Sequence, residues 1–256
     1  MFYFSHETTP DPERITYNRH MHNEYEVLYF LRGDADYVIE GSTYRLRRHD
    51  LLLIPPRTYH HLIPLGASTY ERFVINFDEE SFSPPLIEFL RSARPVYNIE
   101  EHPHLRALFE GWLMAKKSGF SKEEQRILVQ GNLHTLLLFL SHGERTEAIQ
   151  PIRHNQSLEV ILHYIDEHPT EQHTARSLST RHFVSTSWIV HSFRQHLGIS
   201  LQQYVSKKRA LYAQRLLRDG TPATEVARIC SFDSYTTFYR QYKRIFGHSP
   251  QREGKG

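Results

Sequence analysis

The sequence predicts an α+β chain of two domains: an N-terminal antiparallel β barrel with helices after it, then an all-α domain of two helix-turn-helix units joined by a linker helix. Three observations predict it. Short β-rich runs separated by turn-forming groups crowd the stretch from Glu13 to Asp78. Helical periodicity takes over after Pro84-Pro85. The back half repeats itself at a constant offset. At 256 residues the chain has length for two ordinary domains, each with its own core. The expected boundaries are 1–142, a linker over 143–156, and 157–256.

The β runs are Arg14–Tyr17, Tyr25–Leu31, Tyr37–Ile39, Tyr44–Leu46, Leu51–Ile54 and Glu71–Phe77. Turn formers separate them: Arg32-Gly33-Asp34, Glu40-Gly41-Ser42 and Pro55-Pro56-Arg57. Closely spaced strands with such turns argue for an antiparallel sandwich or small barrel. Ser121-Lys-Glu-Glu124 then reads as a capping box that opens a helix running to His142. In that helix Ile127, Leu128, Leu133, Leu136, Leu137 and Leu140 recur at helical spacing. Such a stripe packs against a sheet or forms a dimer seam.

In the back half, Phe183 pairs with Phe232, Ser185 with Ser234, Ile189 with Phe238 and Phe193 with Tyr242, all 49 positions apart. Gly198/Gly247 and Ser200/Ser249 keep the register. Matched Gly and Ser exceed what shared helical periodicity supplies, so the reading is a duplicated supersecondary unit. Each copy has a short helix (Thr174–His182, Pro222–Ile229), a brief turn, and a Ser-capped second helix (Ser185–Leu197, Ser234–Phe246) that stops at Gly. Helix, tight turn, helix is a module whose second helix enters the major groove. The connector Leu201–Arg218 reads as one helix, a stiff spacer between two such modules.

Charge follows the same division. The chain as a whole carries a formal +2, but residues 1–151 sum to −5 and residues 152–256 to +7. A basic back half suits a nucleic-acid partner, although surface drift between domains explains the charge alone equally well. No apolar run is long enough to span a bilayer, and the N-terminus lacks the pattern of a secretory signal. The single cysteine, Cys230, excludes disulfide staples and thiolate clusters. The expected location is the cytoplasm.

Residues Ala210–Arg252 resemble the signature of the AraC/XylS family of bacterial transcription regulators. The matching pieces include Ala213-Gln-Arg-Leu-Leu217, Val226-Ala227, Ser231-Phe232, Phe238-Tyr-Arg-Gln-Tyr-Lys243 and Gly247-His-Ser-Pro250. Ser185, Phe193-Arg194 and Gly198-Ile-Ser200 extend the match into the first unit. The front half is similar to that family's cupin-type ligand-binding domain, through His20-Met-His22, Gly33, Asp50–Pro56 and His60.

The resemblance implies DNA contacts from Ser187, Val190 and His191 in the first unit. In the second unit it implies contacts from Tyr235, Thr236, Tyr239 and Arg240. Arg240 has the planar fork that meets a guanine edge, Thr236 a methyl that meets a thymine methyl, and Tyr239 a ring that serves packing, a phosphate or a base. Ser179 stands where the family has Ala, and Ser231 where it has Gly in a turn.

In the front half the resemblance implies a small-molecule effector, a sugar or related metabolite, held by Arg32, His20, His22, His60 and Phe73. The spacing His20-x-His22-x3-Glu26, followed by Arg57-x2-His60, is also that of the two cupin motifs. In metal-dependent cupins the three histidines and the glutamate ligate a divalent ion. Here Arg57 replaces the second motif's glycine and Pro64 its asparagine. Hydrogen-bonded histidines around a polar pocket, with no metal or other cofactor, are therefore the expectation, and His20, His22, Glu26 and His60 are the set an ion would take.

Two function classes follow. One is a ligand-responsive regulator with double-stranded operator or promoter DNA, a small-molecule effector, a second copy of the chain and RNA polymerase as partners, and no membrane. The other is a metal-dependent cupin enzyme with a helical appendage. The duplicated groove-sized module favours the regulator and no enzymatic activity.

Overall fold

A computed structural model describes residues 2–142 and 147–255. Its residues fall into two compact units, Met1–Arg153 and His154–Gly256. The stretch expected as a linker, 143–156, begins with residues 143–146, which lie outside the described residues. Of the rest, Glu147–Ala148 pair as a strand, the Ile152 N–H donates to Thr43 O at 2.7 Å, and Asn155 caps a helix.

The front unit is antiparallel throughout. A six-stranded sheet runs β1 (Phe2–Thr9), β7 (Tyr70–Phe77), β2 (Tyr25–Arg32), β5 (Asp50–Ile54), β8 (Val96–Asn98), β9 (Glu147–Ala148). A three-stranded sheet runs β4 (Ser42–Arg45), β3 (Ala35–Ile39), β6 (His60–Pro64). On β2, β5 and β7 the side chains divide by parity, as the two-residue period requires. Val27, Tyr29, Leu51, Leu53, Phe73 and Ile75 face three helices, α1 (Pro84–Ser92), α2 (Pro103–Lys117) and α3 (Lys122–Ser141). Leu28, Phe30, Leu52 and Ile54 face the second sheet, against Tyr37, Tyr44 and Leu62. β2 and β5 are therefore covered on both faces, which is why Tyr25–Leu31 and Leu51–Ile54 read as continuous apolar runs.

Several elements differ from the sequence expectation. Arg14–Tyr17 is not a strand: Pro12–Arg14 form a short 3-10 turn, favoured by the fixed φ of Pro12. β1 escaped notice because an edge strand half-exposed along its length carries no two-residue hydrophobic signal. β6 escaped because it opens on His60-His61. In α3 the capping box forms as expected, with Ser121 Oγ accepting from the Glu124 N–H at 3.3 Å and Glu124 Oε2 accepting from the Ser121 N–H at 2.7 Å. Leu133, Leu136, Leu137 and Leu140 are buried against the sheet and α2, each burial stabilising by about 1.5–3 kcal/mol. Most of the leucine stripe is therefore core. Ile127 alone of its positions turns outward, 63% exposed.

The back unit is helical: α4 (Gln156–Glu167), α5 (Ala175–His182), α6 (Thr186–Ser192), α7 (Leu201–Arg218), α8 (Ala223–Ile229) and α9 (Tyr235–Phe246). α6 runs on through one π turn, Phe193–Leu197, to Gly198, whose left-handed backbone ends it as Gly247 ends α9. Side chains cap the starts: Thr174 for α5, Ser185 for α6, Ser200 for α7 and Ser234 for α9. Each leaves one fewer orphan N–H in its first turn. α4, unmarked by the repeat, packs Leu158, Ile161, Leu162 and Ile165 inward and contacts α5 and α7.

The repeat holds with one correction. The second helices are 49 residues apart from cap to cap, Ser185 to Ser234, but the first helices are 48 apart, with buried Leu178 opposite Val226. The second turn contains one extra residue. Phe183 is therefore not the counterpart of Phe232: it sits in the left-handed turn, 96% exposed, while Phe232 packs on the core of the second unit.

A histidine cluster, an inter-sheet cavity and two exposed helices

Glu26 projects from β2 to the inter-sheet side. Facing it, His20 and His60 form a small antiparallel bridge, with N–H···O contacts of 3.1 and 3.0 Å in the two directions. The Arg57 N–H reaches His22 O, which ties the turn before β6 to the same segment. Arg57 holds this turn at φ 61°, a left-handed conformation glycine would adopt without strain. The fold thereby brings His20, His22, Glu26 and His60 together, one donor atom of each within 4.8 Å of the others.

The protonation of the three rings follows from their outer contacts. Nδ1 of His20 lies 2.9 Å from Asn18 O, Nδ1 of His22 2.9 Å from Glu24 O, and Nδ1 of His60 2.9 Å from Thr58 O. A carbonyl oxygen only accepts, so each Nδ1 carries a proton, and His22, when charged, donates from Nε2 to the Glu26 carboxylate as well. Glu26 Oε2 receives Asn76 Nδ2 at 3.1 Å and faces His22 Nε2 at 3.2 Å and His60 Nε2 at 3.9 Å.

Burial alone would raise the Glu26 carboxyl. The His22 hydrogen bond, the charges of His60 and His22, and Asn76 outweigh it and hold the group down to about 2. Burial likewise works against the charged form of His22, but Glu26 and Glu24 raise its pKa above the ordinary value. His60, fully buried, is pushed down to about 4 by burial, with Glu26 opposing. Its Nε2 has no hydrogen-bond partner among the described residues.

Beside the cluster a cavity of about 450 Å³ opens between the sheets. His20 and Glu26 form part of its wall, and Tyr17, Tyr37, Tyr70 and Arg72 supply further polar groups over the apolar floor of Leu28, Leu62 and Val74. The Arg72 guanidinium lies 4.4 Å from the Tyr70 ring centroid and pairs with Glu7. Burial pushes the Tyr37 and Tyr70 hydroxyls far above the ordinary range, so both remain neutral donors. His61 also lines the cavity and is pushed down to about 4 by burial, then by Arg19, His60 and His20.

Two residues expected at an effector site lie elsewhere. Phe73 has the parity of the helix-facing side and packs on Phe109 and Trp112, with centroids 5.5 and 4.7 Å away. Arg32 would share the parity of the cavity face, but a bulge intervenes: Phe30 pairs with Arg72, whereas Arg32 pairs with Glu71. Its Nε donates to Glu71 Oε2 at 2.6 Å and the side chain is largely exposed. Arg72, the inward arginine, carried no motif; its signal was its even position among β7's alternating residues.

In the back unit, Ser187, Val190 and His191 are exposed on α6 while Ile189 faces the core. On α9, Thr236 and Arg240 are exposed, Tyr235 and Tyr239 half-buried, and Phe238 and Tyr242 buried. Tyr235 is partly committed, since its hydroxyl accepts from Gln251 Nε2. Lys243 and Arg244 add exposed positive charge farther along α9. α7, 18 residues and roughly 27 Å long, connects the two helix-turn-helix modules within the back unit.

Comparison with known proteins agrees with this division. Residues 8–137 match the family model described as the AraC-like ligand binding domain, and residues 178–255 match a helix-turn-helix domain model. The arabinose operon regulatory protein of Salmonella typhimurium is 26% identical over 228 residues, 86% of this chain and 79% of that protein. The probable transcriptional regulator LumQ of Photobacterium leiognathi is 32% identical over 94 residues, 36% of this chain and 38% of that one. Among solved structures, ToxT from Vibrio cholerae aligns over 100% of this chain and 98% of its own at 14% identity and a TM-score of 0.43.

Proposed function

The chain belongs to the AraC family of DNA-binding transcriptional regulators, and from that premise we propose that the inter-sheet cavity is the seat of a sugar or related polar metabolite that governs DNA binding by α6 and α9. The observation that supports the DNA half is the duplication. Two side-chain-capped second helices expose polar residues and are joined by a single helix. Major grooves on one face of DNA recur about every 34 Å, and a stiff connector suits two of them. Ser187, Val190 and His191 on α6, and Thr236, Tyr239 and Arg240 on α9, are the residues assigned to the groove. Tyr235 is assigned to the edge of the contact because Gln251 already engages it.

For the effector, the cavity combines neutral hydroxyl donors with a guanidinium and aromatic faces, which suits a hydroxyl-rich molecule. His20, Tyr70 and Arg72 are assigned to it. The ligand acts by binding one arrangement of the chain better than another, and its effect equals that difference in affinity. A second copy of the chain is assigned to the outward face of α3, where Ile127, Leu138 and Phe139 are exposed. Activity as a metal-dependent enzyme is the weaker reading, since no substrate chemistry requires two groove-reading units.

The decisive experiment is a footprint on the chain's own promoter region, followed by Arg240→Ala. The expected result is a loss of about 1–3 kcal/mol in specific affinity and relaxed preference at one base pair. An equal loss on random DNA would make Arg240 a phosphate contact. Absence of any sequence-specific binding would overturn the reading.

A further inference from the structure

We propose that Glu253 is a positioning residue for DNA recognition: its carboxylate ties α9 to the connector α7 and so sets the direction in which Thr236, Tyr239 and Arg240 meet the groove. The inference rests on the assignment of α9 to the major groove. After Gly247 ends α9, the chain turns back as a short 3-10 segment, Pro250–Lys255, which packs on both α7 and α9. Glu253 projects from it into the seam, its side chain 9% exposed. Oε1 accepts from Gln214 Nε2 of α7 at 2.6 Å and from the Tyr242 hydroxyl of α9 at 2.8 Å. Oε2 accepts from Arg218 Nε, about one turn farther along α7, at 3.2 Å. His248 Nε2, just after α9, lies 3.3 Å from Oε1. One carboxylate thus joins two helices.

Burial works against the charged form of Glu253. The hydrogen bonds from Gln214, Tyr242 and Arg218, with the Arg218 charge, outweigh it and hold the group below the ordinary carboxylate range. The carboxylate is therefore ionised at neutral pH, and its bonds are charge-assisted, roughly twice as strong as neutral ones. The same segment grips α9 a second time, because Gln251 Nε2 donates to the Tyr235 hydroxyl. Tyr235 and Tyr242 lie about two turns apart, so one face of α9 is held at two heights. At about 100° per residue, Thr236, Tyr239 and Arg240 fall about a quarter-turn away from that face. The grip therefore leaves the groove-facing side free while it opposes rotation of the helix about its axis. Phe238 and Tyr242 also pack on the core of the second module, but apolar packing is non-directional. The bonds to Glu253 supply the angle. Recognition side chains need such support, since a productive geometry tolerates only about 0.5 Å of displacement.

The test uses the full-length protein and its footprinted site, together with a version of that site whose α9 half is scrambled. Glu253→Ala should lose base preference at the positions that Arg240→Ala affects, and about tenfold in affinity for the intact site. On the scrambled site, wild type and variant should bind alike. Combining Glu253→Ala with Arg240→Ala should cost less than the two losses added, because both act through one contact. Lost stability alone lowers Tm but leaves the base preference of the folded protein unchanged, so binding is measured well below the Tm of each variant. Should Glu253→Ala fail to fold, Tyr242→Phe, which deletes one hydroxyl, should shift preference at the same positions to a smaller extent. A lowered Tm with base preference intact would overturn the positioning role and leave the regulator standing. A wild type without sequence-specific binding would overturn both.

Discussion

Phe183 and Ser231 occupy the same left-handed backbone position, φ 56° and 53°, at the end of the first helix of their respective helix-turn-helix units. They lie 48 residues apart, while the caps that follow, Ser185 and Ser234, lie 49 apart. The turn itself is thus conserved in conformation between the copies, and the inserted residue falls after it, at Asp233. Neither position carries the glycine that such a backbone favours.

Replacing either residue with glycine should therefore stabilise the back unit. The left-handed conformation costs an L-residue about 1–2 kcal/mol, and glycine returns part of that gain through its freer unfolded chain. Phe183→Gly loses almost no packing, as the ring is exposed. Each variant is expected to gain about 0.5–1 kcal/mol in urea unfolding. A loss would mean that the side chains make contacts that outweigh the strain.

The two faces of α3 should respond oppositely to substitution. Leu136→Ala opens the core between helix and sheet and should cost about 2–5 kcal/mol. Ile127→Asp, on the outward face, should leave the unfolding free energy of the monomer within about 0.5 kcal/mol of wild type and lower the mass seen by light scattering if a second copy docks there. An unchanged mass would remove that face as the dimer contact.

His61 predicts acid lability. Its folded pKa is depressed to about 4 from the ordinary 6.5, so between those values the unfolded chain binds more protons than the folded one. Stability is then full above pH 6.5, declines as pH falls toward 4, and flattens below that. His60, also held near 4, contributes to the same window. In His61→Phe the decline should be shallower than in wild type, measured by thermal melts from pH 7 to 4. Parallel curves for the two proteins would refute the assignment.

Much of this was legible in the sequence for reasons that can be stated residue by residue. Ser121, Ser185, Ser200 and Ser234 signal helix starts because capping is local chemistry, decided within three residues. The spacing of His20, His22, Glu26 and His60 was visible as a motif, and the fold unites them. Tertiary pairing was less visible. Arg32 was drawn off the cavity face by a bulge, which depends on how β2 meets β7 and leaves no local mark. Phe73 has the chemistry of a sugar-stacking residue but the wrong parity, and Arg72 has the right parity with no motif around it. The 49-residue repeat disguised the 48-residue one because Phe183 and Phe232 happen to be the same residue type in different roles.

That exchange of arginines leads to the sharpest test of the cavity. If Arg72 is the inward donor, Arg72→Ala should abolish the Tm rise produced by whichever pentose, hexose or sugar acid stabilises the wild type in a thermal-shift panel. Arg32→Ala removes only an ion pair to Glu71 near the surface, worth about 0.2–1 kcal/mol, and should retain that rise. Because Arg72 also pairs with Glu7, a general loss of stability is expected in Arg72→Ala. The quantity to compare is therefore the ligand-induced shift, not the Tm itself. A shift lost in Arg32→Ala and kept in Arg72→Ala would place the effector at the β2 bulge, outside the space between the sheets.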